Sequence, residues 1–303
     1  MRSIMLATAA AAFAIAAPAH ADHHASGDHS AGHGASDGAD HSADHGSKDH
    51  AMNMPLMEVL ASETRADDFA RDKYRNPMET LGFFRVEQQH TVVEYAPGGG
   101  WYTRVLAPYL AGNGQYIAVD GDTDQRSFRD EEAEAQSRSW PARFPAIAAG
   151  WTGVDAANIM AFESDELPEG VAGKVDRVLI FRSMHGLLNS NRADSELRNI
   201  RAMLADDGLV GVVQHRAKAD QPYEMAMGTR GYLRQDDVIA LFTAFGFELV
   251  DASEVNANAA DSADWEGGVW ALPPVLRYGD QDRDKYTAVG ESDRMTLLFK
   301  KAD

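Results

Sequence analysis

The chain has no cysteine at all, so it uses no disulfide staples and cannot be a lipoprotein anchored through a cysteine. It also has no run of 18 apolar residues, so nothing in it reads as a comfortable membrane span and integral membrane association is not expected. Positive charge is scarce: 28 Lys and Arg against 47 Asp and Glu give a formal net charge of −19. That balance argues against nucleic acid or an anionic membrane surface as a partner. Oligomeric state leaves no mark in the composition.

Three segments follow from what is present. Met1 to Ala21 has Arg2 as its only charge, an apolar stretch from Ile4 to Ala17, and Ala19-His20-Ala21 in the small-x-small form of a signal-peptidase site. Residues 1–21 are therefore expected to be a cleavable signal peptide, and the mature protein periplasmic or secreted. Residues 22–50 are built almost wholly from Asp, His, Ala, Ser and Gly, a composition that buries no core and predicts a disordered segment. Its seven histidines, His23, His24, His29, His33, His41, His45 and His50, interleaved with carboxylates, are borderline ligands for Zn, Cu or Ni. Without regular spacing no tetrahedral site can be drawn, and a solvated tether is the competing reading. Residues 51–303 have globular composition and enough length for one doubly wound domain.

The stretch from Thr91 to Asp122 organises that domain. Thr91, Val92 and Val93 form a β-branched run, and Ala96 to Gly100 follows with three consecutive glycines, where the backbone can turn tightly and approach a ligand. Trp101, Val105, Leu106 and Leu110 then recur at helical spacing until Gly112 and Gly114 stop the helix. A second apolar run, Tyr116 to Val119, ends on Asp120, 26 residues after Glu94. This strand, loop, helix and strand suit a nucleotide-sized ligand at the loop, with Asp120 on a ribose diol. A dinucleotide frame fails, because Gly98-Gly99-Gly100 is followed by Trp101, Tyr102 and Thr103 rather than a further glycine. Glu94 stands two residues before the loop, where it can face an ammonium or organise the loop amides.

This arrangement resembles the class I S-adenosylmethionine-dependent methyltransferases, whose first motif is an acid followed by G-x-G-x-G. The three glycine places fall here on Ala96, Gly98 and Gly100, the first being a departure. A closer match is to a set of exported, uncharacterised predicted methyltransferases, through the words EYAPGGGWYT (Glu94 to Thr103), FRSMHG (Phe181 to Gly186) and GESDRMTL (Gly290 to Leu297). The resemblance covers about Met57 to Lys301. It implies an α/β fold with a doubly wound, mostly parallel seven-stranded sheet in the order 3-2-1-4-5-7-6. It also implies N-terminal helices across the cofactor pocket, S-adenosylmethionine seated by Glu94, Ala96, Gly98, Gly99, Gly100 and Asp120, and Glu163 near the adenine amine. A surface carboxylate is the other reading of Glu163.

The rest of the chain fills in that order. Leu56 to Tyr74 reads as an amphipathic helix with Arg65, Asp67, Asp68, Arg71, Asp72 and Lys73 on its wet side, and Asn76-Pro77 as the cap and first turn of another. A polar helix is expected through about Arg138, a third strand around Asn158 to Phe162, and a buried fourth strand from Val175 to Phe181. Strand ends in such sheets face the ligand, so Arg182, His185 and, after the fifth strand (Leu209 to Val213), His215 are candidate catalytic residues. His185 is the best candidate general base, since an imidazole titrates near neutral pH; capping the following helix is its bland alternative.

In this topology the connection from roughly Asp251 to Asp293 must leave from the ligand edge, and its Trp265, Trp270, Pro273, Pro274 and Tyr286 predict an ordered insertion that narrows the pocket. Arg182, His185, His215, Arg216, Arg230 and Arg277 together suggest a cationic pocket for a small anionic or phenolic acceptor. The expected function is thus methyl transfer to a small-molecule substrate. Because S-adenosylmethionine is a charged cytosolic compound, an adenosine-type ligand binder without catalysis, a metal-handling protein working through its tail, and a cytosolic role for unprocessed chain stay open.

Overall fold

A computed structural model describes residues 53–302. The expected signal peptide, the His/Asp-rich segment and all seven of its histidines lie outside the described residues. Among the described residues no helix is long and apolar enough to cross a membrane.

The chain begins with α1 (Met54–Leu60), a 3-10 turn (Glu63–Asp68), α2 (Phe69–Arg75) and α3 (Pro77–Phe83). The sequence pattern predicted one helix up to Tyr74 with its charges in water. Arg65 is instead fully buried and Asp68 nearly so. Each has found a partner that makes burial tolerable: Arg65 bonds Asp72 at 2.7 Å and lies over the Trp101 ring, and Arg104 bonds Asp68 at 2.6 Å. Asn76 joins α2 to α3 in the left-handed region at φ 40°, yet its side chain caps nothing and donates to the Val255 carbonyl at 2.6 Å.

The alternating unit then runs β1 (Thr91–Tyr95), α4 (Thr103–Leu110), β2 (Gln115–Asp120), α5 (Glu131–Arg138), α6 (Trp140–Thr152), β3 (Ile159–Glu163), β4 (Val175–Phe181), α7 (Met184–Asn189), α8 (Ala193–Met203) and β5 (Leu204–His215). It closes with α9 (Tyr223–Ala226), α10 (Gln235–Ala244), β6 (Phe247–Ser253), α11 (Arg283–Val289) and β7 (Arg294–Lys301). Helix α6 contains two prolines, Pro141 and Pro145. Pro141 falls in the first turn, where its missing N–H costs nothing, and Pro145 is tolerated inside the helix. Strand β5 starts five residues earlier than its β-branched run, and its register against β4 shifts between Val175 and Arg177 to absorb the Asp206-Asp207-Gly208 corner.

The sheet order is β3-β2-β1-β4-β5-β7-β6, with β7 antiparallel to both neighbours and the other strands parallel. This is the expected doubly wound fold. Its strands are near-continuous apolar runs because both faces are covered. Val93, Ile117, Val178 and Val210 pack against Leu197 and Ile200 of α8 and Phe242 of α10 on one face. Val92, Ala118 and Leu179 pack against Leu81, Leu106 and Phe144 on the other. The parallel strands therefore all end at one edge, and β6 delivers the chain there too.

Candidate functional site

At the end of β1 the backbone makes an unusual turn. Ala96, Gly98 and Gly100 have φ of 52°, 57° and 73°, so all three places where the motif asks for glycine lie in the left-handed region. Alanine at the first place carries a strain of about 1 kcal/mol that glycine would not. Gly98 and Gly99 are exposed, and a Cβ on Gly99 would meet nothing within 4 Å. Gly100 differs: its Cβ would lie 2.3 Å from the Trp151 ring. The loop is thus packed from behind and open in front.

Glu94 is buried beneath this loop. Its Oε2 accepts from Thr103 Oγ1 at 2.8 Å and Tyr116 O–H at 2.7 Å, tying β1 to the first turn of α4 and to β2. Burial pushes its carboxyl up to about 7, against those two hydrogen bonds and the charges of Arg182 and Arg104. Asp120, half-buried at the end of β2, accepts through Oδ1 from Arg126 at 2.6 Å and from the Gly121 N–H at 2.9 Å. Glu163, opposite Asp120 in the β2–β3 register, holds Thr123 with both oxygens at 2.7 and 2.8 Å. The space at Gly121 is bounded by Glu196 Oε1, Tyr95 O–H and Arg192. Sequence reasoning missed this trio, whose residues sit on α8, β1 and the turn before α8 and carry no shared motif.

The ends of β4 and β5 are cationic. Arg182 leaves β4 at φ 59°, and only its backbone N–H, donating to Val213, is engaged among the described residues. Its guanidinium is pulled down to about 10 by burial and then by Arg294, opposed by Glu291 and Tyr102. His185, in the first turn of α7, lies 5.8 Å from His215 and 5.9 Å from Trp270, centroid to centroid. Burial lowers the pKa of both rings. For His185 Arg182 reinforces it; for His215 the drop is larger, with Arg294, His185 and Arg182 adding to burial.

The Gln214 amide donates to the Gly231 carbonyl at 2.8 Å, which fixes its nitrogen toward His185 Nδ1 at 3.4 Å. A neutral His185 then carries its proton on Nε2. His215 Nδ1 instead meets the Ser292 hydroxyl, which can donate or accept.

The six basic residues expected to share this pocket separate. Arg216 is bound to Glu254 and Asp293, Arg230 to the Trp265 carbonyl, and Arg277 to the Gly267 carbonyl and the Trp270 ring. These three hold the insertion rather than a ligand. The insertion itself is ordered as expected: Ala263, Val269, Trp265 and Trp270 pack with Tyr232 and Ala226 into a small third core.

The sequence words meet in one buried assembly. Glu291 bonds Arg71 at 2.7 Å, Arg75 at 3.1 Å and Arg294. Arg75 lies 4.7 Å from the Trp101 ring centroid, and Tyr102 stacks on Phe181 at 3.5 Å. EYAPGGGWYT, FRSMHG and GESDRMTL are contiguous because the N-terminal helices clamp them together.

No family model and no curated protein matches the chain. Among solved structures it is similar to an S-adenosylmethionine-dependent methyltransferase from Aquifex aeolicus, at 13% identity and a TM-score of 0.45 over 82% of this chain and 98% of that one. It is also similar to the 1,6-didemethyltoxoflavin-N1-methyltransferase of Burkholderia thailandensis (15% identity, TM-score 0.42, 79% and 88% covered) and to the [4+2]-cyclase SpnF (14%, 0.44, 75% and 80%). Likenesses this distant do not carry over an activity.

Proposed function

We propose that the chain is an S-adenosylmethionine-dependent methyltransferase acting on a small-molecule acceptor, exported to the periplasm. The observation that carries this reading is the β1 loop: three left-handed residues, Ala96, Gly98 and Gly100, follow a buried acid and leave Gly98 and Gly99 open at the ligand edge. The residues present fit such a cofactor. Gly98 and Gly99 offer backbone without side chains, and Asp120 keeps Oδ2 without a partner among the described residues, an acceptor for a ribose hydroxyl. Glu94 likewise keeps Oε1 for the loop amides or an ammonium, and Glu163 lies beside Asp120 for the adenine side. When bound, the cofactor supplies an electrophilic methyl group; the protein's share is positioning and exclusion of water.

The acceptor belongs at the other half of the edge, by Arg182, His185 and His215. The tautomer set by Gln214 makes His185 a hydrogen-bond donor, so base work falls to His215, whose Nδ1 can hold the proton on the Ser292 side and leave Nε2 free. His215→Gln is then expected to lower turnover by roughly 10²- to 10⁴-fold, and His185→Gln by much less.

Calorimetric titration of S-adenosylmethionine and S-adenosylhomocysteine into wild type and Asp120→Ala tests the cofactor. Heat with wild type and a marked weakening in the variant are expected. No heat or thermal shift at millimolar ligand would end the enzyme reading. A second reading, an adenosine-type binder without catalysis, would use the same loop and Asp120. Binding without turnover across a broad acceptor panel would select it.

A further inference from the structure

The basic half of the ligand edge has a charge imbalance that the proposed methyl transfer does not require. Arg71, Arg75 and Arg294 all converge on one carboxylate, Glu291, and the Arg182 guanidinium lies in the field of Arg294, Arg71 and Glu291. Among the described residues three guanidinium groups thus share one bonded carboxylate and that of Arg182 has none, in a protein whose formal charge is −19. Even with Glu94 counted as ionised, two positive charges stay unbalanced. Elsewhere in the same region the arginines are matched one to one, Arg65 with Asp72 and Arg104 with Asp68. Arg75 and Arg294 are buried and Arg182 half-buried; charge removed from water without a counter-charge is costly, and an anionic ligand can supply it.

Three further features point to the same place. Arg182 is held by a left-handed backbone, at φ 59°, that a non-glycine residue adopts at a cost of about 1 kcal/mol. Nε of Arg294, within a side chain only 2% exposed, has no partner among the described residues. His185 is fixed by Gln214 with its N–H on the nitrogen not already engaged, and Trp270 stands against it as an apolar wall. A fork of N–H donors, one more N–H beside it and an aromatic wall match a carboxylate carried on a small, flat organic framework.

We propose that the mouth of β4 and β5, beside Trp270, is a carboxylate-binding acceptor subsite in which Arg182 and the Nε2–H of His185 hold the anionic group of a small organic acid. The subsite rests on the methyltransferase reading only for the word acceptor. The carboxylate is the anchor, and the group to be methylated is a second one on the same molecule, within reach of His215. Neutral His185 and His215 rings suit this arrangement, because an organic acid brings the negative charge that the guanidinium groups lack and leaves His215 able to take a proton.

The test uses the full chain with benzoate and benzamide as probes, which share shape and differ in charge, and a separate titration with S-adenosylhomocysteine. Benzoate is expected to bind wild type more tightly than benzamide. Arg182→Gln should weaken benzoate roughly ten- to hundred-fold, the range for losing hydrogen bonds to a charged group. Arg182→Lys should recover part of that loss, and neither change should move benzamide or S-adenosylhomocysteine. In the wild-type protein the His185 ring resonances should shift with benzoate at concentrations where benzamide leaves them still, a readout that needs no variant to fold. Equal affinity for the two probes, benzoate binding indifferent to Arg182→Gln, or still His185 resonances would each overturn the subsite. Loss of S-adenosylhomocysteine affinity in Arg182→Gln would also overturn it, by giving the cation to the cofactor's own carboxylate. Should benzoate bind through Arg182 while S-adenosylhomocysteine does not bind at all, the subsite stands and the methyltransferase reading falls.

Discussion

The two halves of the ligand edge are built from opposite chemistry on one sheet. Where β1, β2 and β3 end, the ligand-edge side chains are carboxylates, Glu94, Asp120 and Glu163, and each is held by hydroxyl, amide or guanidinium donors. Where β4 and β5 end they are Arg182, His185 and His215, and the guanidinium has no ion pair among the described residues. Acids that accept from hydroxyls suit a polyhydroxyl ligand with a cationic end; cations without partners suit an anion. An edge divided in this way suits two molecules of unlike charge side by side, which is what the proposed transfer between them needs.

The largest expected effect comes from breaking the clamp that joins the halves. Glu291→Gln removes the one carboxylate bonded to Arg71, Arg75 and Arg294 among the described residues, leaving buried cations uncompensated. A loss of about 3–5 kcal/mol in urea denaturation is expected, and an unchanged midpoint would show that the clamp is not what holds the N-terminal helices to the sheet.

The halves should also respond to pH in opposite senses. Burial raises Glu94 from 4.5 to about 7 in the folded state, so between those values the folded chain keeps a proton that the unfolded chain has lost. Stability from this group therefore falls as pH rises from about 4.5 to 7 and is level above, a change on the order of 3 kcal/mol. His185 and His215 are lowered by burial, so their contribution is present above 6.5 and falls as pH drops below it. Denaturation of Glu94→Gln across this range should lose the alkaline-side decline and keep the acid-side one. A variant that keeps both slopes would contradict the assignment to Glu94.

Within the glycine loop the front and back separate in the same way. Gly100→Ala places a methyl against Trp151 at a left-handed residue and should cost about 2 kcal/mol, with S-adenosylhomocysteine affinity reduced. Ala96→Gly relieves strain at φ 52° and should stabilise by a few tenths to about 1 kcal/mol in thermal melts, without loss of affinity. The smallest effect is expected from the tail. Removing residues 22–50 should leave the apo melting temperature unchanged while abolishing weak Zn, Cu or Ni binding; stoichiometric metal that survives removal would move the site to His185 and His215.

Much of the fold was legible because strands buried on both faces are written as short apolar runs, as in Val178 to Phe181 of the parallel β4 and Met295 to Phe299 of the antiparallel β7. The insertion was legible too, since its place at the ligand edge follows from strand direction. Arg65 and Asp68 were not. Helical periodicity assigns a charged residue to water, and only a partner from a distant segment, Trp101 or Arg104, reverses that assignment.

The sequence by itself determined which residues stand at strand ends: Glu94, Asp120, Glu163, Arg182 and His215 follow from where the apolar runs stop, because a strand buried on both faces is a short, local apolar run. What their charges do was decided only by the tertiary structure. Arg216, Arg230 and Arg277 found acids, carbonyls or an aromatic ring, and the Arg182 guanidinium found none of these among the described residues. Pairing depends on side chains converging from segments as far apart as Arg71 and Glu291, and Coulomb energy falls with distance in space, not along the chain.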